Sequence, residues 1–411
     1  MNDRTLHPQA WVALSLMALY TTAEGLCQIF VSVYFWVESL DFMAVCRHYL
    51  ALYAVTPVVF TLAGWMAQRY DRLLVYRMGL FLHAVYYAAL LLLREEAATY
   101  SVHLGVLLGI TWGFFWAGQN TFSFDVTRAG NRERYFGLQL GIDGVCGFVA
   151  PLLGGFIIWM TPGTLFGYQL IFGSAVVIYC ICLALSYWMP HDNTRRPFKL
   201  KRALFPGKEQ RDWRLIMLAS GTMAGAFNIF IFLLALLMYQ QTNTELAVGA
   251  YSAIQAAAGV SVSFFLSRVM TPMRRQPVLL ASVVLLVIAG AMILWQLNLA
   301  TLIIFGLLRS ISGPMFGISH FSLRLDVIDS SVEERHQRIE YITAWEWPLA
   351  IGRVIMMLVL MGLAGWFTES DLGLRIAIFA LCAIRILTYL ILIQTDTMRA
   401  YRKASGQRLE A

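Results

Sequence analysis

The amino-acid sequence predicts an all-α membrane protein whose twelve transmembrane helices form two six-helix bundles. Three observations carry this. Of 411 residues, 59% are hydrophobic and only 13% charged, about half the charged share of a soluble domain, and mean hydropathy is +0.65. Apolar runs of about 20 residues recur between short polar breaks, each long enough to cross a hydrocarbon core of about 30 Å at 1.5 Å per residue. The longest break, Pro190 to Asp212, is basic, with Arg195, Arg196, Lys199, Lys201, Arg202, Lys208 and Arg211, and apolar runs lie on either side of it. A soluble enzyme, a disordered chain and a fibrous protein are excluded.

Taken in order, the spans are expected at 11–36, 43–67, 78–93, 102–123, 136–160 and 168–189, then at 213–239, 247–267, 278–296, 299–322, 341–366 and 373–394. The third and the ninth are short and can borrow flanking residues. The implied organisation is an N-terminal bundle (1–189), a basic linker (190–212), a C-terminal bundle (213–394) and a tail (395–411). An internal repeat agrees with it: Asp125-Val126 with Arg134, and Asp326-Val327 with Arg335, recur at an offset of 201 residues, as duplicated bundles do. The first apolar run is too long for the core of a cleavable leader, so none is expected.

The net charge of +7 comes from 31 Lys and Arg against 24 acids, and its distribution sets an orientation. With a cytoplasmic N-terminus, the inner segments hold 25 of the 31 basic residues; the outer loops hold only Arg47, Arg94 and Arg375. Basic loops resist translocation, so both termini and the linker are expected in the cytoplasm, in a multi-pass protein of the cell (inner) membrane. Basic residues distributed in this way answer to the lipid bilayer, and no nucleic-acid partner is expected. Five of six cysteines lie inside apolar runs, which argues against a disulfide framework.

Two motifs carry a family resemblance. Between spans 2 and 3, Gly64, Gln68, Arg69, Asp71 and Arg72 resemble G-x-x-x-D-R-x-G-R, with Gln68 in place of the acid and Asp71 in place of the second glycine. In span 5, Gly137, Pro151, Gly154 and Gly155 resemble g-x8-G-x3-G-P-x2-G-G, with Cys146 and Ala150 at the other glycine positions. With these motifs the chain resembles the major facilitator superfamily over nearly its whole length. The resemblance implies a bundle in which spans 1, 4, 7 and 10 line a central cavity and spans 5 and 11 meet at the boundary between halves. It also implies a secondary transporter, for which Gly137, Pro151, Gly154 and Gly155 are helix-packing positions and Gln68, Arg69 and Arg72 belong to a gate or ion-pair region.

Ionisable groups inside spans point to function, because each costs about 2.5–3.5 kcal/mol at a helix centre on insertion scales. They are Glu24, Asp143, Arg309, Glu346, Arg353 and Arg385, three acids and three arginines, and the balance implies pairing. Glu24, flanked by Thr21, Thr22, Gly25 and Gln28, reads either as a proton-coupling site or as a static partner of Arg309. Arg309 suits an anionic substrate group or a carboxylate, and Gly313-Pro314 after it is expected to break the helix. Glu346 and Arg353, seven residues apart, share a helix face and with Asp143 read as a gate or as a static network. Trp112, Trp116 and Asn120 form a stripe at helical spacing, a cavity platform or simple packing; Gln28 and Asn228 are further cavity candidates. His83 is expected to bond neighbouring backbone, and Arg385 to snorkel or pair locally.

No phosphate loop and no metal-ligand pair of the H-E-x-x-H or C-x-x-C type occurs, so no cofactor, no metal and no enzyme activity are expected. The function implied is a secondary active transporter moving a small solute by alternating access with protons, as a monomer, with export of an amphipathic or drug-like compound first. Uptake or facilitated diffusion of a metabolite, a lipid flippase and a transport-inactive scaffold on the same fold are the alternatives.

Overall fold

In a computed structural model, residues 8–125, 132–162, 164–189, 197–331, 338–366 and 370–400 are described. Among them, twelve helices are long and apolar enough to cross a membrane. The order is α1 (Pro8–Ser39), α2 (Phe42–Arg69), α3 (Arg72–Leu93), α4 (Ser101–Asp125), α5 (Arg132–Trp159), α6 (Phe166–Ser186), the short α7 (Leu200–Leu204), α8 (Arg211–Thr242), α9 (Glu245–Val269), α10 (Arg275–Trp295), α11 (Leu299–Ser331), α12 (Arg338–Trp366) and α13 (Leu372–Leu392). Spans seven to twelve are therefore α8 to α13. All six cysteines are free.

Capping explains where the spans begin. Asp41 accepts from the Met43 amide at 2.7 Å, opening α2, and Asp71 accepts from the Leu73 amide at 2.9 Å, opening α3. Each bond satisfies one of the orphan donors of a first turn. The Asp71 cap starts α3 six residues before the expected 78, which brings Arg77 into the helix. There its Nη2 donates to the Ser186 carbonyl at 2.8 Å and its guanidinium lies 4.3 Å from the Tyr187 ring centroid, tying α3 to the end of α6.

The chain divides into two compact units. The first holds α1 to α6 together with Ala235–Ala253; the second holds Lys199–Leu234 and the chain from Ile254 onward. In the first unit α4 packs on α2 and α3, α3 on α6, and α1 on α5 and α6. In the second, α10 packs on α11 and α13, and α12 on α13. The third span of each half thus packs on the fourth and sixth of its own half, the same pattern twice. The repeat read at Asp125 and Asp326 includes Val126, Arg134 and Arg335, whose side chains lie outside the described residues.

Small residues set the close approaches. A Cβ on Gly109 would meet the Leu52 carbonyl at 2.9 Å, and one on Gly113 would meet Val59 at 2.7 Å, so one glycine stripe of α4 seats α2. The second unit has a core around Trp213, Ile216, Phe316, Leu323, Val327, Tyr341 and Leu392. Trp213 Nε1 donates to the Ala203 carbonyl of α7 at 2.8 Å, which fastens the end of the basic linker to that core. The expected break at Gly313-Pro314 is not found: α11 runs unbroken through Pro314. Proline removes one amide donor, and the flanking turns keep the helix going.

Candidate functional site

The first candidate site is built from α1, α3 and α6 around Glu24. The Glu24 side chain is buried and both its hydrogen bonds come from tyrosines. Tyr179 on α6 donates to Oε1 at 2.6 Å and Tyr87 on α3 donates to the same atom at 3.1 Å. His83, one turn before Tyr87, lies with Nε2 3.9 Å from Oε1. Its Nδ1 is 2.8 Å from the Gly79 carbonyl. A carbonyl only accepts, so Nδ1 carries the hydrogen, and in the neutral ring it is the Nε2 lone pair that faces Glu24. Nε2 itself is buried without a hydrogen bond among the described residues.

Aromatic rings close this pocket. His83 stacks on Tyr179 at 4.8 Å between centroids, and Tyr179 on Tyr87 at 5.8 Å. Tyr20 stacks on Phe115 at 3.9 Å and meets the Trp116 edge at 6.0 Å. The carboxylate is therefore held by hydroxyl donors inside an aromatic shell. Phenol hydroxyls stabilise the ionised carboxylate, whereas apolar surroundings stabilise the acid.

Asp143 on α5 lies beside the same helix: Thr21 Oγ1 donates to Oδ1 at 2.9 Å. Among the described residues, Glu24 and Asp143 are served by hydroxyls, which a tally of charges does not see. On α4, Trp112, Trp116 and Asn120 are half-buried, and Trp116 meets the Tyr20 ring of α1. Trp112 Nε1 is buried without a hydrogen bond among the described residues. Gln28 is half-buried on α1.

In the second unit, Arg353 and Glu346 of α12 do pair, Nη1 to Oε1 at 2.6 Å, and Arg353 Nε donates to Asn228 Oδ1 of α8 at 2.8 Å. All three are buried. Arg309 lies 5.6 Å from the Phe230 ring centroid. Arg385 neither snorkels nor forms a local ion pair among the described residues: it is buried against Phe316, 4.0 Å from its centroid. No three His, Cys, Asp or Glu among the described residues are placed to hold a metal ion.

Sequence similarity decides the family. Residues 16–339 match the family model described as Major Facilitator Superfamily. The chain belongs to the major facilitator superfamily. It is 28% identical over 365 residues to "Uncharacterized protein YqgE" of Bacillus subtilis (strain 168), covering 89% of this chain and 84% of that protein. It is 34% identical over 125 residues to "Tetracycline resistance protein, class H" of Pasteurella multocida, covering 29% of this chain and 30% of that one. In fold it matches a bacterial homologue of the iron transporter ferroportin in its inward-facing state, with a TM-score of 0.69 at 15% identity over 94% of this chain and 98% of that chain. This is a superfamily transporter with twelve membrane-spanning helices.

The superfamily motifs acquire physical content here. Asp71, in a glycine position, is the cap of α3. Gln68, in the acid position, is buried with neither amide atom hydrogen-bonded among the described residues; Arg72 is buried and Arg69 exposed. In α5, Ala150 is accommodated because Gly25 of α1 carries no side chain: a Cβ there would meet Ala150 at 2.8 Å. Cys146 takes the other glycine position beside Thr22, with Oγ1 to Sγ at 3.4 Å. Gly154 abuts the Leu26 carbonyl, and Gly155 abuts Glu245 and Gly249 of α9. The helix-packing positions Pro151, Gly154 and Gly155 thus seat α1 and the start of α9; the surroundings of Gly137 lie outside the described residues.

Several site residues escaped the sequence reading. Tyr87 and Tyr179 sit inside apolar runs, where tyrosine reads as hydrophobic filler. Arg77 and Arg324 sit at the edges of apolar runs, where a basic residue reads as part of a loop.

Proposed function

We propose that this transporter exports a small amphipathic, drug-like solute by alternating access, driven by protons exchanged at Glu24. One observation carries the reading: Glu24 is a buried carboxylate held by two phenol hydroxyls and facing Nε2 of His83, with no arginine or lysine paired to it among the described residues of its unit. Hydroxyl donors favour the charged form and apolar burial the neutral one, so a modest change of surroundings is enough to load or release the proton. His83 Nε2 is the acceptor for the acid form. A state in which Glu24 is wetter and one in which it is drier would then differ in proton occupancy, and the gradient biases their populations.

The aromatic face of Trp112 and Trp116, with Asn120 and Gln28 as polar ends, fits a flat amphipathic solute. The partial match to a protein named for tetracycline resistance supports export of such a compound. We place the chain in the cell (inner) membrane as a monomer with both termini in the cytoplasm, on the strength of the basic-loop bias. The test is transport in everted vesicles under an imposed pH gradient, with a panel of amphipathic compounds that includes tetracycline. Gradient-dependent accumulation of at least one compound is expected. A chain that moves neither protons nor any compound is the scaffold of the alternative reading.

A further inference from the structure

Arg324 of α11 and Arg385 of α13 are 5% and 4% exposed. Neither guanidinium has a hydrogen bond or an ion pair to any described residue, and Nε of each is buried without a partner. What they do touch is aromatic. Arg324 lies 3.6 Å from the Trp345 centroid and Arg385 lies 4.0 Å from that of Phe316.

These contacts join into one circuit. Trp345 Nε1 donates to Ser220 Oγ at 2.6 Å, and the same Oγ lies 3.4 Å from His320 Nε2. His320 in turn stacks on Phe316 at 5.7 Å between centroids. His320 is buried within range of the charges on both arginines. The acid whose charge reaches Arg324 is Glu346, and Glu346 Oε1 is already held by Arg353 at 2.6 Å. Further positive charge, on Arg309, lies within range of Arg385.

A guanidinium out of water needs a counter-charge and acceptors for its five donors. An aromatic face supplies neither in full. Both lie within range of one buried histidine, and what both guanidiniums lack is the same thing, an anionic oxygen. We propose that Arg324 and Arg385, beside His320, form an oxyanion site that takes a phosphate group. The planar fork of each arginine matches two phosphate oxygens, and the rings hold the forks in place before binding. The phosphate belongs either to a soluble anion or to an anionic lipid headgroup. The site stands apart from Glu24 and does not depend on the proton reading.

The experiment uses the full chain in phosphatidylcholine nanodiscs. One arm adds inorganic phosphate, with chloride at matched ionic strength as the control; the other replaces part of the lipid by phosphatidylglycerol. A ligand of the native state raises the melting temperature, so wild type should melt higher in at least one arm. In R324Q and R385Q the ligand should bind roughly tenfold weaker or worse, the loss expected when a charged hydrogen-bond donor is removed. Because each variant deletes a buried charge that lacks a partner, its ligand-free melting temperature should not fall. R385K, which keeps the charge and loses the fork, should be intermediate and serves if R385Q does not fold. A shift with phosphate assigns a soluble anion; a shift with phosphatidylglycerol alone assigns the lipid. No shift in either arm, or a full shift in both glutamine variants, overturns the proposal.

Discussion

Glu346→Gln probes the buried ion pair between Glu346 and Arg353 in the second unit. Glu346 and Arg353 are each 8% exposed, meet at 2.6 Å, and have Asn228 as the next polar neighbour at 2.8 Å from Arg353. Removing the carboxylate charge takes away the counter-charge that Nη1 of the guanidinium meets. Breaking a buried pair from one side costs about 3–5 kcal/mol, whereas replacing both partners by apolar groups of similar size is near neutral. The Asn228 bond is present before and after the substitution and therefore cancels. The expectation for E346Q is a loss of about 3–5 kcal/mol, with E346L/R353M recovering most of it. Reversible unfolding in mixed micelles, carried through the double-mutant cycle, measures both. A single variant as stable as wild type, or a double variant worse than the sum of the singles, would refute the view that the pair compensates a buried charge.

Three further outcomes follow from the packing, the caps and the charge pattern. Gly25→Ala sets a methyl against Ala150, whose Cβ would lie 2.8 Å away, and should cost about 1–3 kcal/mol by overpacking; adding A150G should restore much of it, and no rescue would show that the contact is not the cause. Asp71→Ala removes the acceptor of the Leu73 amide and should cost about 0.5–2 kcal/mol, with D71N losing only a fraction of that in the same unfolding assay. On a cysteine-free background, impermeant thiol reagent on intact cells should label a cysteine placed at Glu95 and not one at Arg196; the reverse would invert the proposed orientation.

The membrane spans were legible because hydropathy acts over whole helices. Their edges were less so. Arg72 and Arg77 end an apolar run in the sequence, yet the Asp71 cap carries α3 through both, and α11 continues to Ser331, beyond the expected 322. Gly313-Pro314 reads as a break only while the neighbouring turns are ignored. Glu24 stood out because a carboxylate in an apolar run is costly. Its partners did not, since Tyr87 and Tyr179 lie 63 and 155 residues away in runs where tyrosine adds to the apolar count. The Glu346–Arg353 contact was visible as two turns of one helix. Arg324, in contrast, looked like an ordinary basic residue at a loop, because nothing in the sequence says that α11 extends past it and buries it against Trp345.

The most direct test of the account is proton movement through Glu24→Gln in proteoliposomes, read with an internal pH dye while a transported solute is added. Glutamine keeps the size and the acceptor oxygen for Tyr179 and Tyr87 but carries no exchangeable acid proton. Wild type should show a solute-evoked pH change and should build a solute gradient under an imposed pH difference. E24Q should fold, exchange labelled solute across the membrane at zero gradient, and show neither the pH change nor the accumulation. A folded E24Q protein that still moves protons with solute at the wild-type rate would contradict the assignment of coupling to this carboxylate.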